Sequence, residues 1–451
     1  MAAVASNGLA RLVTVVMVGR ASGVDSLGGF QTGLSIAQLM VLFLPTALGS
    51  AASKFVAQGR ANPGEGDPGQ VFHFLARRLR VVALVLSFAA AAVSVAVAKG
   101  QLFSALEVAV LTWVLCWYSM IRGLLFGLGL ARRSAFWDIT TSVFTVALVA
   151  AILSLGELDH GAILAVAAAY ALFAVMNTPS GASGGLSADR RSEIDRFCVA
   201  VVFGTLASTG FLQLTMIVSR VVGGIEAAGH FAAALNFATP VSLLGTSLSL
   251  VMFPELAAAL SKNDPRRVAS MVDRAFRVLV ALTVPVFVVT QFASELILRL
   301  VLGQGFADAS VVLVILVAAV LVTTVGIPCV AALTSGSQRG VQGSALLSCA
   351  GLVLGVTSWA ALVPALDVNG VAWGYLFGSG VIAAGHIGWA WRSQHQNWGV
   401  PITSTVGAVL ALVLIRSHAG TDGSLVNIAG AGLVCLGWAA VQVPFTRSSQ
   451  R

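Results

Sequence analysis

The side chains of this chain that could do chemistry are charged groups inside long apolar segments. Arg11, Glu107, Asp138 and Glu255 each interrupt such a segment. An ionised side chain at the centre of a bilayer costs about 2.5–3.5 kcal/mol on insertion scales, so such residues usually face a cavity. A buried guanidinium could bind an anionic group, and a buried carboxylate could bind a cation or carry a proton. The expected chemistry is therefore the binding of charged groups inside a membrane.

Each charged residue also has a structural alternative. Arg11 could bind an anionic substrate group or pair with an acid on another helix. The three acids could couple transport to an ion or simply line a cavity; they are Glu107, Asp138 and Glu255. Lys54 and Arg122 lie close enough to helix ends to extend their charges to the membrane interface. Glu295 and Arg299 are four residues apart, which favours a local ion pair.

Motifs of catalytic or ATP-driven machines are missing from the sequence. It contains no hydrolase triad, Walker loop, HExxH motif or metal-ligand spacing. The five cysteines lie singly in apolar segments, which favours core packing. We therefore expect no enzyme, no ATPase motor, no metal and no cofactor. Energy for transport would come from an ion gradient, the membrane potential, downstream consumption of the substrate or a partner.

The elements that must position these charges are membrane-spanning helices. Of the 451 residues, 57% are hydrophobic and only 10% are charged, whereas soluble domains have about 25% charged residues. Apolar runs of roughly 17–25 residues recur along the chain, each long enough to cross a bilayer. The sequence predicts an all-α polytopic membrane protein with about fourteen transmembrane helices, at 2–19, 29–55, 79–98, 102–127, 135–155, 161–177, 197–221, 230–258, 277–301, 309–333, 342–363, 369–391, 400–416 and 424–443.

The positive charge is distributed asymmetrically. The net charge is +8, and most of the 26 Lys and Arg residues lie in alternate gaps between the predicted helices. The other gaps contain only Arg20, Lys99, Arg220, Arg299 and Arg416. Basic loops stay in the cytoplasm, so this pattern predicts a protein of the cell membrane with both termini in the cytoplasm. It also explains the basic character without any nucleic-acid partner.

One segment occurs twice. Residues 23–30 read GVDSLGGF and residues 224–231 read GIEAAGHF, 201 positions later. The charge pattern indicates that both copies enter the membrane in the same orientation, and parallel repeats of this kind are typical of transporters. We predict an N-terminal six-helix lobe, a cytoplasmic linker, a C-terminal six-helix lobe and two further helices with a short tail, at 1–178, 179–196, 197–393 and 394–451.

Several motifs carry a family resemblance. The first is Asp25 to Phe30 followed by PTALGSAASKFVAQG at 45–59, and the second is the other copy, at 224–231, followed by FPELAAALSK at 253–262. Two more are GQGF at 303–306 and NGVAWG at 369–374. Together they resemble the polysaccharide and lipid-linked oligosaccharide exporters of the multidrug/oligosaccharidyl-lipid/polysaccharide (MOP) superfamily. The resemblance covers about residues 8–391. It implies two six-helix lobes around a central cavity that work by alternating access.

The resemblance also implies a site. In the family, cavity cations hold the pyrophosphate of a polyprenyl carrier, which makes four cations the candidates for substrate binding: Arg11, Arg20, Lys54 and Arg122. Many members have an acid in helix 7, where this chain has Gln213 and Thr215. A count of fourteen helices resembles the lipid II branch, whereas many O-antigen members have twelve. The helix count therefore leaves the identity of the transported glycan open.

The expected function is a flippase for a polyprenyl-linked sugar or oligosaccharide, in contact with membrane lipids. Glycosyltransferases or a polymerase of the same pathway are the expected partners. Two alternatives stay open: a cation-coupled multidrug exporter of the same fold, which requires membrane-embedded carboxylates, and a transport-inactive scaffold for a glycan-assembly complex.

Overall fold

The structure of the protein is a computed structural model. It describes residues 2–61, 68–98, 102–155, 161–179, 186–242, 264–336, 338–394, 396–419 and 425–448, with isolated positions between 242 and 264. The described residues form helices and no strand. The predicted all-α class is therefore confirmed.

The helices account for nearly all of the described chain. In order they are α1 (Ala2–Phe43), α2 (Pro45–Ala61), α3 (Pro68–Val97), α4 (Leu102–Gly127), α5 (Ala131–Ser154), α6 (Ala162–Asn177), α7 (Ala188–Thr205), α8 (Phe211–Ala238), α9 (Pro265–Val301), α10 (Ser310–Gly336), α11 (Gln338–Gln394), α12 (Gly399–Ala419) and α13 (Leu425–Ser448). Within the described residues, eight helical stretches are long and apolar enough to cross a membrane. The exact count of fourteen crossings is not confirmed.

Three of the predicted breaks between helices are single residues with non-helical backbone. Helix α1 consists of two helical segments that meet at a kink at Gly23 (φ 82°, ψ −169°), and the same holds for α8 at Gly224 (φ 78°, ψ −164°) and for α11 at Asp367 (φ 48°, ψ −129°). The predicted breaks are therefore present as kinks between two helical segments, and each is shorter than predicted, because the chain leaves helical geometry at one position only. The conformation of Gly23 and Gly224 is essentially restricted to glycine, which explains why both copies of the repeat begin with this residue.

The two copies of the repeat also approach each other through equivalent glycines. A Cβ atom on Gly28 would overlap the carbonyl oxygen of Ile225 and lie 2.8 Å from the backbone nitrogen of Gly229. In the same way, a Cβ on Gly229 would overlap the carbonyl oxygen of Val24. The absence of side chains at both positions lets the backbones of α1 and α8 cross in direct contact, as small residues do between membrane helices.

The described chain forms two compact units, Met1–Ala233 and Ala234–Arg451. In unit 1, α4 packs against α2, α3 and α6, while α1 packs against α5. Helix α7 begins at Ala188, inside the predicted linker, where the Ser187 side chain accepts a hydrogen bond from the backbone of Arg190. The second half of that linker is therefore helical. The division into six-helix lobes on either side of it stays a prediction.

In unit 2, the two additional C-terminal helices pack against each other and against α9. The buried Trp398 precedes α12 and stacks on Phe276 of α9, with 4.0 Å between ring centroids. Its indole nitrogen donates to Asp273 Oδ1 at 2.7 Å, and Arg277 Nε donates to the same carboxylate at 2.8–2.9 Å. These contacts hold the start of α12 on α9.

Candidate functional site

A buried carboxylate in unit 1 is held by two donors from a neighbouring helix. The Asp138 side chain, on α5, is only 1% exposed. Arg122 Nε donates to Oδ2 at 3.0 Å and the Tyr118 hydroxyl donates to Oδ1 at 2.8 Å. Tyr118 and Arg122 are four residues apart on α4, which places them on one helical face. Each oxygen of the carboxylate therefore has a hydrogen-bond donor.

Helix α6 completes the aromatic side of this site. The ring of Tyr118 packs edge-on against Tyr170, at 4.6 Å between centroids, and against Phe173, at 4.8 Å. Both partners point from α6 towards α4. Aromatic side chains bring a large apolar area together with the phenol oxygens. The ion pair is therefore shielded by three aromatic rings, of which those of Tyr118 and Tyr170 carry hydroxyl groups.

Helix α1 brings a second cation to the same region. Arg11 is half-buried and lies close enough to Tyr170 for an electrostatic interaction. Tyr170 also interacts electrostatically with Arg122 and Asp138. One turn earlier, the Asn7 side-chain oxygen accepts a hydrogen bond of 2.5 Å from the Ser142 hydroxyl. We refer to these side chains together as the buried polar cluster: Asn7, Arg11, Tyr118, Arg122, Asp138, Ser142 and Tyr170.

The structure thus brings together three of the predicted site residues. Arg122, a candidate for substrate binding, and Asp138, a candidate for ion coupling, are partners of each other. Arg11 lies in the same cluster. The sequence analysis assigned these two oppositely charged residues to different candidate roles, whereas in the structure they form one ion pair.

The other predicted residues have different surroundings. Glu107 is 3% exposed and accepts a hydrogen bond of 3.0 Å from the backbone of Gly161, the residue that caps the start of α6. A carboxylate there satisfies an otherwise unpaired helix-end donor and complements the helix dipole. Arg20 is exposed on α1. Glu255 lies outside the described residues.

Lys54 lies in the second half of α2, beside two aromatic rings. Its ammonium group is 4.8 Å from the ring centroid of Phe55 and 4.7 Å from that of Phe197 on α7. The side chain is exposed, and both hypotheses for Lys54, substrate binding and extension to the interface, stay predictions. Among the described residues, no group of three His, Cys, Asp or Glu side chains could hold a metal ion.

Sequence reasoning missed the tyrosines of the buried polar cluster. The chain has only three tyrosines, and two of them, Tyr118 and Tyr170, contact this site. A rare phenol inside an apolar segment was a usable signal, since a buried tyrosine hydroxyl usually has a hydrogen-bond partner.

The sequence matches a family model described as "Polysaccharide biosynthesis protein" over residues 52–311, more than half of the chain. The chain belongs to this polysaccharide biosynthesis family. The predicted family relationship is therefore confirmed. In a comparison with curated proteins, no sequence matches the chain.

Solved structures with the same fold are MOP superfamily transporters. An inward-facing multidrug resistance MATE family transporter of the MOP superfamily aligns with a TM-score of 0.72 at 16% identity, over 86% of this chain and 94% of its own. The lipid II flippase MurJ in an inward closed conformation aligns with a TM-score of 0.69 at 11% identity, over 100% and 99%. A MOP superfamily transporter from Pyrococcus furiosus aligns with a TM-score of 0.54 at 17% identity, over 86% and 96%. This polysaccharide biosynthesis family member therefore has a MOP transporter fold.

Proposed function

We propose that the protein is a flippase that moves a polyprenyl-pyrophosphate-linked sugar or oligosaccharide across the cytoplasmic membrane by alternating access. The glycan would serve cell-envelope polysaccharide or peptidoglycan synthesis, and glycosyltransferases or a polymerase of that pathway would be the partners. The family match and the MOP fold support this proposal. The basic loops support a cytoplasmic position for both termini.

The observation that carries the proposal is the charge of the buried polar cluster. It contains two guanidinium groups, of Arg11 and Arg122, and one carboxylate, of Asp138. When all three are ionised the cluster is positively charged, which suits an anionic headgroup and disfavours a cation. Guanidinium groups also bind phosphate through paired, charge-assisted hydrogen bonds.

The same geometry makes a cation-coupled exporter the weaker hypothesis. Such a transporter needs a carboxylate that is available to Na⁺ or a proton. Both oxygens of Asp138 already accept hydrogen bonds, and Glu107 holds the start of α6. Gln213 and Thr215, on α8, are buried and uncharged.

Arg11→Ala is expected to slow translocation of a lipid-linked glycan by about ten- to hundredfold. A hydrogen bond to a charged group contributes about 1.5–3 kcal/mol, and this range converts into that factor. The measurement is flipping of a fluorescent polyprenyl-pyrophosphate glycan in proteoliposomes, with Arg11→Lys as the charge-preserving variant. Arg266→Ala, an exposed change at the start of α9, serves as the control and should leave the rate unchanged.

Two results would count against the proposal separately. A normal rate for a folded Arg11→Ala protein would remove Arg11 from the site but leave the function intact. Failure of the wild-type protein to move any lipid-linked glycan, together with proton-driven efflux of an organic cation that Asp138→Asn abolishes, would favour the exporter.

A further inference from the structure

Helix α3 carries two arginines at the end of an exposed apolar stripe. Successive residues of an α-helix are about 100° apart, so residues 77, 81, 84 and 88 share one face. Val81 is 65% and Phe88 69% exposed, and α3 is long and apolar enough to cross a membrane. Large apolar side chains exposed on such a helix face lipid tails. Arg77 and Arg80, both exposed, therefore lie at headgroup level above this stripe.

Helix α7 has the same arrangement. Arg196 is exposed, and Val199 and Phe203 follow it at i+3 and i+7 with 57% and 59% exposure. Their side chains share a face by the same helical spacing. This face also presents a cation directly above apolar side chains at the basic end of the helix.

The two arrangements adjoin because α3 and α7 are bound to each other at this end. Arg78 forms two hydrogen bonds with Asp195, one from Nη2 to Oδ2 at 3.1 Å and one from Nη1 to Oδ1. The ring of Phe74 lies 4.4 Å from the Arg78 guanidinium and 5.9 Å from that of Arg191. The basic ends of the two stripes therefore adjoin at this contact, and we call the two stripes with their arginines the α3–α7 seam.

Among the residues that the structure describes, positive charge exceeds negative charge at this seam. Asp195 forms an ion pair with Arg78, and Glu193 forms one with Arg190 at 2.8 Å. Four exposed arginines are added to these pairs: Arg77, Arg80, Arg191 and Arg196. The exposed Asp189 offsets only one of them. Arg77 and Arg80 have no ion-pair partner within the described part of the chain.

We propose that the α3–α7 seam binds an anionic glycerophospholipid. The phosphate contacts arginines of both helices, and the acyl chains lie along the apolar stripe below them. Charge complementarity selects the headgroup, as it does where clusters of basic residues meet an anionic membrane surface. A lipid bound there bridges α3 and the first turns of α7, so it stabilises the contact already made by Arg78 and Asp195. This proposal does not depend on which substrate the protein transports.

The test is binding of phosphatidylglycerol to the purified full-length protein in detergent, with phosphatidylcholine as the neutral reference. We expect the double variant Arg77→Gln/Arg80→Gln to bind phosphatidylglycerol roughly thirtyfold more weakly, which corresponds to about 1 kcal/mol for each basic residue near anionic lipid. Arg77→Lys/Arg80→Lys, which keeps both charges, should retain most of the binding. The matched control is Arg266→Gln/Arg267→Gln, which removes two exposed charges from the start of α9 and should bind normally.

Three outcomes would overturn the proposal. They are unchanged binding in the seam variant, equal weakening in the α9 control, and equal affinity of the wild-type protein for both lipids. Loss of a co-purifying acidic protein with unchanged lipid binding would assign the seam to a protein partner instead. Thermal unfolding in neutral detergent checks that the glutamine variant is folded, and the lysine variant provides the comparison if it is not.

Discussion

Gly28→Ala is expected to destabilise the protein by about 1–3 kcal/mol, the usual cost of adding a methyl group to a tightly packed contact. The new Cβ would overlap the backbone carbonyl of Ile225, and a backbone atom cannot move aside as the end of a flexible side chain can. The measurement is the midpoint of thermal or denaturant-induced unfolding in one detergent. Gly29→Ala is the matched control, because its Cβ would meet only Ile225 Cδ1, at 3.9 Å.

The equivalent glycine of the second repeat should give the same result. Gly229→Ala introduces an overlap with Val24 of the first copy, so we expect a similar loss of stability. The double variant should lose less than the sum of the two, because either change already separates the same pair of backbones and neighbouring sites couple. Strict additivity, or a Gly29→Ala protein as unstable as Gly28→Ala, would contradict a crossing formed by these two glycines.

Arg122→Ala is expected to cost about 3–5 kcal/mol of folding stability, the typical effect of removing one partner of a buried ion pair. The Asp138 carboxylate would keep only the hydrogen bond from Tyr118. A buried charge without a partner lowers the folding stability more than removal of both charges does. The guanidinium is partly exposed, with 32% of its side chain accessible, which places the expected value towards the lower end. The measurement is again the unfolding midpoint of the purified protein.

Two further variants make this prediction specific to charge. Arg122→Met/Asp138→Leu removes both charges and should recover most of the lost stability, because apolar replacement of a buried pair is often neutral. Tyr118→Phe removes one hydrogen bond to the carboxylate and should cost about 1–3 kcal/mol, less than Arg122→Ala. A double variant no more stable than Arg122→Ala would show that the loss came from packing and not from the unpaired carboxylate.

Much of the architecture could be predicted from the sequence because it depends on local properties. The length of the apolar runs and their scarcity of charge determine that the chain is helical and crosses a membrane, since a bilayer requires all backbone groups to bond within the segment. The repeat was visible for a similar reason. Gly23 and Gly224 adopt a backbone conformation that is essentially restricted to glycine, so a glycine at both positions indicates the same local backbone geometry. The charged candidates inside apolar segments were also identified from composition alone.

Only the tertiary structure decided what those charges contact. Arg122 and Asp138 are separated by a turn and lie on different helices, and neither helical period nor composition predicts which faces of α4 and α5 meet. Glu107 is a further case, because it contacts the start of α6, 54 residues away in sequence. The crossing of Gly28 with Gly229 is likewise a packing result. The cost of placing a charge in the membrane is local and therefore visible in the sequence, whereas the partner that offsets this cost depends on how the helices pack.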